Sequence, residues 1–207
     1  MTTSHSDDPS LTALKSELRS AIRAKRRAIS AVASLTKSQA AAERFFTTFI
    51  EPAVLTQPDL IVAGFWPSKY EIKVDLLLKL LAQKTIQTCL PEVVAHGQAL
   101  IFRDWRFGDP LILGNGAEIP LPTAKIVIPN FVIVPLIGFD RQGGRLGQGG
   151  GLYDRSLFAL RRDRAVTAVA IAYAEQEIAA VPRGQFDQPI DAIVTDREVI
   201  YPNHKVI

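Results

Sequence analysis

The chain has 207 residues, 47% of them hydrophobic, with a net charge of +3 and one cysteine. That length holds a sizeable core in one domain, and so mild a charge excludes the strongly clustered basic surface of most nucleic-acid proteins. The lone Cys89 excludes an internal disulfide and fits a reducing compartment, and no apolar run reaches the ~18 residues of a membrane span.

The opening MTTSHSDDPS has neither the basic nor the apolar region of a secretory signal. Residues 1–9 read as a disordered tail and 10–207 as a single domain, expected in the cytoplasm as a monomer. Leu11, Leu14, Leu18, Ile22 and Ile29 recur at helical spacing, which predicts an amphipathic helix over 10–29. Thr36-Lys-Ser-Gln39 reads as a capping box opening a second helix that ends before Pro52. Residues 60–66 form an apolar run closed by Pro67, a buried strand. A helix is predicted over 73–83 and a strand over 85–90, with Cys89 in its core. Residues 99–102 pair with that strand through the Ala-His-Gly turn, and 106–130 read as loop. Strands are expected at 131–136, 167–172 and 192–195, and a helix at 152–162. Buried strands alternating with helices predict an α/β fold: a mostly parallel sheet with helices on both faces, a Rossmann-like three-layer architecture.

Seven of the thirteen glycines fall between Gly138 and Gly151, after one strand and before a helix. A glycine-rich turn entering a helix N-terminus offers backbone N–H groups to an anion, and Arg145 adds a phosphate donor. No lysine follows as in a Walker A loop, and Asp154 stands where the dinucleotide fingerprint needs its third glycine. Spacing alone leaves a phosphate site and a purely structural loop both open. Asp154 fits the helix dipole, or a Mg²⁺ ion beside bound phosphates. Asp191, opening a strand, reads as a turn residue or a second metal carboxylate. Lys15, Arg19, Arg23 and Arg27, at steps of four, form either a solvated face or a stripe aimed at a polyanion. In FWPSKYEI, Trp66 either caps the core or stacks on a flat heterocycle whose donors Glu71 could bind.

PLIGFDRQGGRLGQGGGLYDRSL resembles the signature of the 5-formyltetrahydrofolate cyclo-ligases, or methenyltetrahydrofolate synthetases. Phe139, Asp140, Arg145, Leu146, Gly147, Gly149, Gly151, Tyr153 and Asp154 carry the match. LKSELRSAIRAKRRAIS, FWPSKYEI, AEIPLP and QPIDAIVTD resemble four further family segments in the family's order. Leu152 departs from the aromatic residue usual at its position. The resemblance implies a reaction of ATP and 5-formyltetrahydrofolate, with Mg²⁺, giving 5,10-methenyltetrahydrofolate, ADP and phosphate. It implies catalytic roles for Lys15 and Arg145. Lys15, Arg19 and the stretch Arg145, Leu146, Gly147, Gln148, Gly149, Gly150, Gly151, Leu152 and Tyr153 would bind ATP. Arg19, Trp66, Glu71 and Tyr153 would bind the folate, and Asp154 and Asp191 the metal. Two other readings are a non-catalytic nucleotide- or RNA-binding module and a phosphosugar-binding relative on the same sheet.

Overall fold

The computed structural model describes residues 9–95, 97–115 and 117–202. Residues 1–8 of the expected tail and His96 of the expected hairpin turn lie outside these, and Pro9 already belongs to the first helix. The helices are α1 (Pro9–Arg27), α2 (Ala31–Phe45), α3 (Glu51–Thr56), α4 (Asp75–Gln83) and α5 (Leu152–Asp163). The strands are β1 (Ile61–Ala63), β2 (Gln87–Glu92), β3 (Ile101–Asp104), β4 (Leu111–Leu113), β5 (Glu118–Pro120), β6 (Ile126–Val127), β7 (Phe131–Val134), β8 (Gly138–Phe139), β9 (Arg145–Leu146), β10 (Thr167–Ala172), β11 (Ala192–Thr195) and β12 (Val199–Ile200).

Eight strands form one sheet in the order β12-β11-β10-β7-β1-β2-β3-β6. The five inner strands are parallel; at the margins β12 is antiparallel to β11, β3 to β2 and β6 to β3. Inner residues alternate between two apolar layers, as period-2 side chains on a doubly covered sheet must. Val62, Ile133, Val169 and Val194 face the layer holding Leu77 and Leu81 of α4 and Phe45 of α2. Ala63, Val132, Ala170 and Ile193 face the layer holding Leu157 of α5. The three-layer expectation is therefore what the chain builds.

Local chemistry moves several boundaries. The second helix is capped by Ser30, whose side chain accepts from the Ala33 N–H at 3.2 Å. Thr36 lies inside that helix and bonds back to the Val32 carbonyl, so no capping box starts there. Pro52 does not end the helical run. A π-helical turn (Phe46–Ile50) leads into α3, whose first turn accommodates the proline because no intrahelical N–H is needed there. Thr85 has φ 55°, unusual for a β-branched residue, and the strand expected from it begins instead at Gln87. The expected loop over 106–130 contains β4, β5 and β6. The antiparallel β2–β3 pairing matches expectation, with Leu90 opposite Arg103.

From β1 the chain moves outward to β2 on one side, and from β7 it moves outward to β10 on the other. The loops leaving the carboxyl ends of β1 and β7 therefore part at this point, where open α/β sheets take ligands. Among the described residues, no helix is long and apolar enough to cross a membrane.

Candidate active site

The glycine-rich segment after β7 is itself a small hairpin, β8 pairing with β9. Asp140 organises its turn. One carboxylate oxygen accepts from the N–H groups of Gln142 and Gly144, and the other from Val181 at 2.7 Å. Gly144 leaves room for that carboxylate, since a Cβ there would sit 2.4 Å from Asp140 Oδ2. Gly149 and Gly151 take positive φ, 107° and 60°, and Gly151 opens α5 without a side-chain cap. The loop thus delivers an uncapped helix N-terminus, with its free N–H groups, to the carboxyl edge of the sheet.

Helix α1 lies across this hairpin. Ile22 packs with Ile137, Leu146 and Val181. Arg19 Nε donates to the Gly147 carbonyl at 2.8 Å, and Arg23 donates to Gln148 Oε1 at 2.6 Å. Lys15 is buried, and its ammonium lies 3.7 Å from Asp187 Oδ2. Arg27 sits over the Tyr70 ring, 5.8 Å from its centroid. The basic stripe is therefore not a uniformly solvated face. Steps of four gain about 40° per step on a 3.6-residue helix, so Arg27 rotates outward. The buried cations of α1 are instead Lys15 and Arg26, with Arg19 and Arg23 half-buried against the glycine loop.

Glu71 comes from the loop after β1. Its Oε2 accepts from the Ser68 N–H at 2.8 Å, and its Oε1 lies 3.8 Å from Arg26 Nη1. Trp66, half-buried, meets Trp105 edge-on at 5.6 Å. Tyr153, in the first turn of α5, has a buried hydroxyl with no hydrogen-bond partner. Burial and the Glu71 charge push that phenol up from its ordinary value, and the Arg145 charge pulls it down. Arg145 donates through Nη2 to Asp154 Oδ1, while its buried Nη1 has no partner. Asp154 also accepts from the Gln188 N–H at 3.0 Å. Of the remaining loop residues, Leu152 packs against the layer under α5, and the Gly150 carbonyl accepts from Arg155.

The fold thus brings Lys15, Arg19, Arg145, Tyr153 and Asp154 to one edge with Glu71 beside them, while Trp66, from the same loop as Glu71, packs on Trp105 and the core. It does not bring Asp191 there. Asp191 lies just before β11, and its N–H and Oδ2 bond the carbonyl and N–H of Ala168, at the amino ends of parallel strands. Oδ2 also accepts from Arg161 at 3.3 Å. Arg161 is seven residues along α5 from Asp154, about 10 Å of helix. The expected Asp154–Asp191 metal pair is corrected on this ground. The second carboxylate at the site is Asp187, next to the Gln188 that bonds Asp154. No group of three or more His, Cys, Asp or Glu side chains able to hold a metal occurs among the described residues. Two carboxylates beside a glycine-rich loop at a helix N-terminus are nonetheless a donor set that would suit Mg²⁺, which takes its remaining ligands from phosphates and water.

Comparison with known proteins finds relatives over most of the chain. The chain is 29% identical over 185 residues to the 5-formyltetrahydrofolate cyclo-ligase of Escherichia coli K12, covering 86% of this chain and 98% of that one. The NMR structure of the Aquifex aeolicus 5,10-methenyltetrahydrofolate synthetase superposes with a TM-score of 0.75 at 27% identity, over 92% of this chain and 93% of that one. A Mycoplasma pneumoniae 5,10-methenyltetrahydrofolate synthetase shares the fold, with a TM-score of 0.69 at 24% identity over 88% and 99% of the two chains. The model of the 5-formyltetrahydrofolate cyclo-ligase family matches residues 11–196, and with the glycine hairpin, the cations of α1 and Glu71 all falling within that span, the chain belongs to this family.

Proposed function

We propose that the chain closes 5-formyltetrahydrofolate to 5,10-methenyltetrahydrofolate at the expense of ATP, with Mg²⁺. The observation that carries this reading is the convergence of three cations, Lys15, Arg19 and Arg145, on an uncapped helix N-terminus, with Glu71 and Tyr153 adjoining. A polyphosphate needs the first group, and a pterin with several ring donors needs the second.

In this reading the formyl oxygen attacks the γ-phosphate, which turns a poor leaving group into a good one. The neighbouring nitrogen, at position 10, then closes the ring and phosphate departs. The protein's part is to align the two substrates and to meet the charge on the transferring phosphoryl group. Lys15 and Arg145 supply fixed positive charge. Each lies beside a carboxylate, Asp187 and Asp154 respectively, so each cation is held in place before a phosphate arrives. Glycine N–H groups and the start of α5 add donors at no reorganisation cost. Asp154 and Asp187 would hold Mg²⁺, whose charge offsets that of the phosphates when bound. Trp66 and Glu71 would orient the pterin, and Tyr153 would line the junction between the two substrates. The same reading makes the enzyme a single cytoplasmic domain acting as a monomer.

The deciding experiment is a turnover assay that follows the absorbance of the methenyl product. Product is expected only when 5-formyltetrahydrofolate, ATP and Mg²⁺ are all present. Product without ATP, or none from folded protein with all three, overturns the reading.

A further inference from the structure

Arg26 is the buried cation that neither the glycine loop nor the metal carboxylates engage. It is 7% exposed, and its Nε and Nη1 atoms have no hydrogen-bond partner. Glu71 Oε1 stands 3.8 Å from Nη1, close enough to attract and too far to bond. A buried donor left unpaired is costly, more so when charged, and proteins keep few of them. Those kept at a site are candidates for a partner that arrives with the ligand. A second observation points the same way. The buried Tyr153 hydroxyl and Arg145 Nη1 are also without partners, and Tyr153 is electrostatically coupled to both Glu71 and Arg145. Unpaired groups of α1 and α5, Arg26 and Tyr153, thus face Glu71, and the unpaired Arg145 nitrogen of β9 lies on the far side of Tyr153. Burial holds the Arg26 guanidinium below its ordinary value, and the Glu71 charge opposes this, as expected for a cation whose one counter-charge is not bonded to it.

A charged donor beside a charged acceptor has a definite complement. It is a heterocycle edge with an oxo group next to an N–H and an amino group. The pterin of 5-formyltetrahydrofolate has that edge at ring positions 4, 3 and 2. We infer that Arg26 is a specificity-determining residue of the folate site, donating to the 4-oxo group while Glu71 accepts from the adjacent ring N–H and amino group. This rests on the cyclo-ligase reading. It adds to that reading a residue that discriminates 4-oxo from 4-amino pteridines, because an amino group at position 4 would turn its own donors on the guanidinium.

The test is calorimetric binding, without ATP, of 5-formyltetrahydrofolate and its 4-amino-4-deoxy counterpart. The wild-type chain is expected to prefer the oxo ligand by at least about tenfold, the scale of one charge-assisted hydrogen bond. Arg26→Met should weaken the oxo ligand by about that factor, leave the amino ligand nearly unchanged, and bring the ratio close to one. Its melting temperature should not fall, since the substitution removes a buried cation with unpaired N–H groups. Arg26→Lys, which keeps one charged donor, should keep part of the preference. Equal weakening of both ligands, or an unchanged ratio, overturns the inference. So does failure of both variants to fold, which would make Arg26 structural. Wild-type protein that binds and turns over 5-formyltetrahydrofolate but shows no oxo preference overturns this inference alone. Wild-type protein that binds neither ligand overturns the cyclo-ligase reading with it.

Discussion

Arg19 and Gly147 lie 128 residues apart in sequence, and the guanidinium of one holds the carbonyl of the other at 2.8 Å. The bond pins the middle of the glycine loop to α1 and lays the guanidinium against Gly149, where a Cβ would sit 3.4 Å from Arg19 Nη2. Arg19→Ala should therefore raise the KM for ATP by about tenfold to a hundredfold, the worth of a charge-assisted hydrogen bond of roughly 1.5–3 kcal/mol. Arg27→Ala, which removes only a surface contact with Tyr70, should change it less than twofold. Initial rates at varied ATP measure both, and equal effects at the two positions would count against a specific role for Arg19.

The acidic pair gives a second prediction. Asp154→Asn and Asp187→Asn should each raise the Mg²⁺ concentration needed for half-maximal rate. The double variant should lose less than the sum of the singles, because groups acting through one ion are not additive. Asp191→Asn should leave the Mg²⁺ dependence unchanged, since Asp191 is occupied by Ala168 and Arg161. A Mg²⁺ shift in the Asp191 variant but not the Asp187 variant would reverse the assignment.

Asp140 is predicted to matter for stability. Its two oxygens accept from three backbone N–H groups, and Arg183 Nη2 lies 3.4 Å away. Asn in its place would turn an NH₂ group on at least one backbone N–H. The cost is about 1–3 kcal/mol, or roughly 2–4 °C in melting temperature per kcal/mol for a chain of this size. Thermal unfolding of Asp140→Asn checks this. An unchanged melting temperature would mean that the turn does not depend on the carboxylate.

Lys37 gives a pH prediction. Its ammonium donates to Glu175 and Asp196, both at 2.8 Å. Partial burial lowers its pKa, but the two carboxylates outweigh this and hold it above the ordinary lysine value. A group that binds its proton more tightly when folded contributes fully below its unfolded pKa, about 10.4 for lysine. That contribution is lost as pH rises through the higher folded value. Denaturant unfolding of the wild type should therefore show stability falling above pH ~10.4, and Lys37→Met should show a shallower fall. Parallel profiles would rule the coupling out.

The inner sheet was legible because its strands are apolar on both faces, and a continuous run such as residues 131–134 permits little else. The glycine loop was legible because so many glycines before a helix serve few purposes. Helix starts were less so. Ser30 and Thr36 both offer a hydroxyl, and it is Ser30 whose side chain accepts from a helix N–H while Thr36 bonds back to Val32. Arg26 was visible in principle, since 15, 19, 22 and 26 follow the helical period more closely than steps of four. Charge drew attention to the wrong row. Asp187 and Asp191 stand four residues apart in one irregular segment. The register of β11 on β10 puts Asp191 at the far end of the sheet, and the contacts of Asp187 with Lys15 and of Gln188 with Asp154 put Asp187 at the loop.

The sheet's margins have a colloidal consequence. Among the described residues, β6 and β12 are two residues long, and each is antiparallel to its neighbour. A second molecule approaching edge-on would find only two residues to pair with on either side, too few to template an added strand. The wide hydrophobic sheet that carries the site is thus closed to growth at both ends, and concentrated protein should resist strand-mediated association without help from a large net charge.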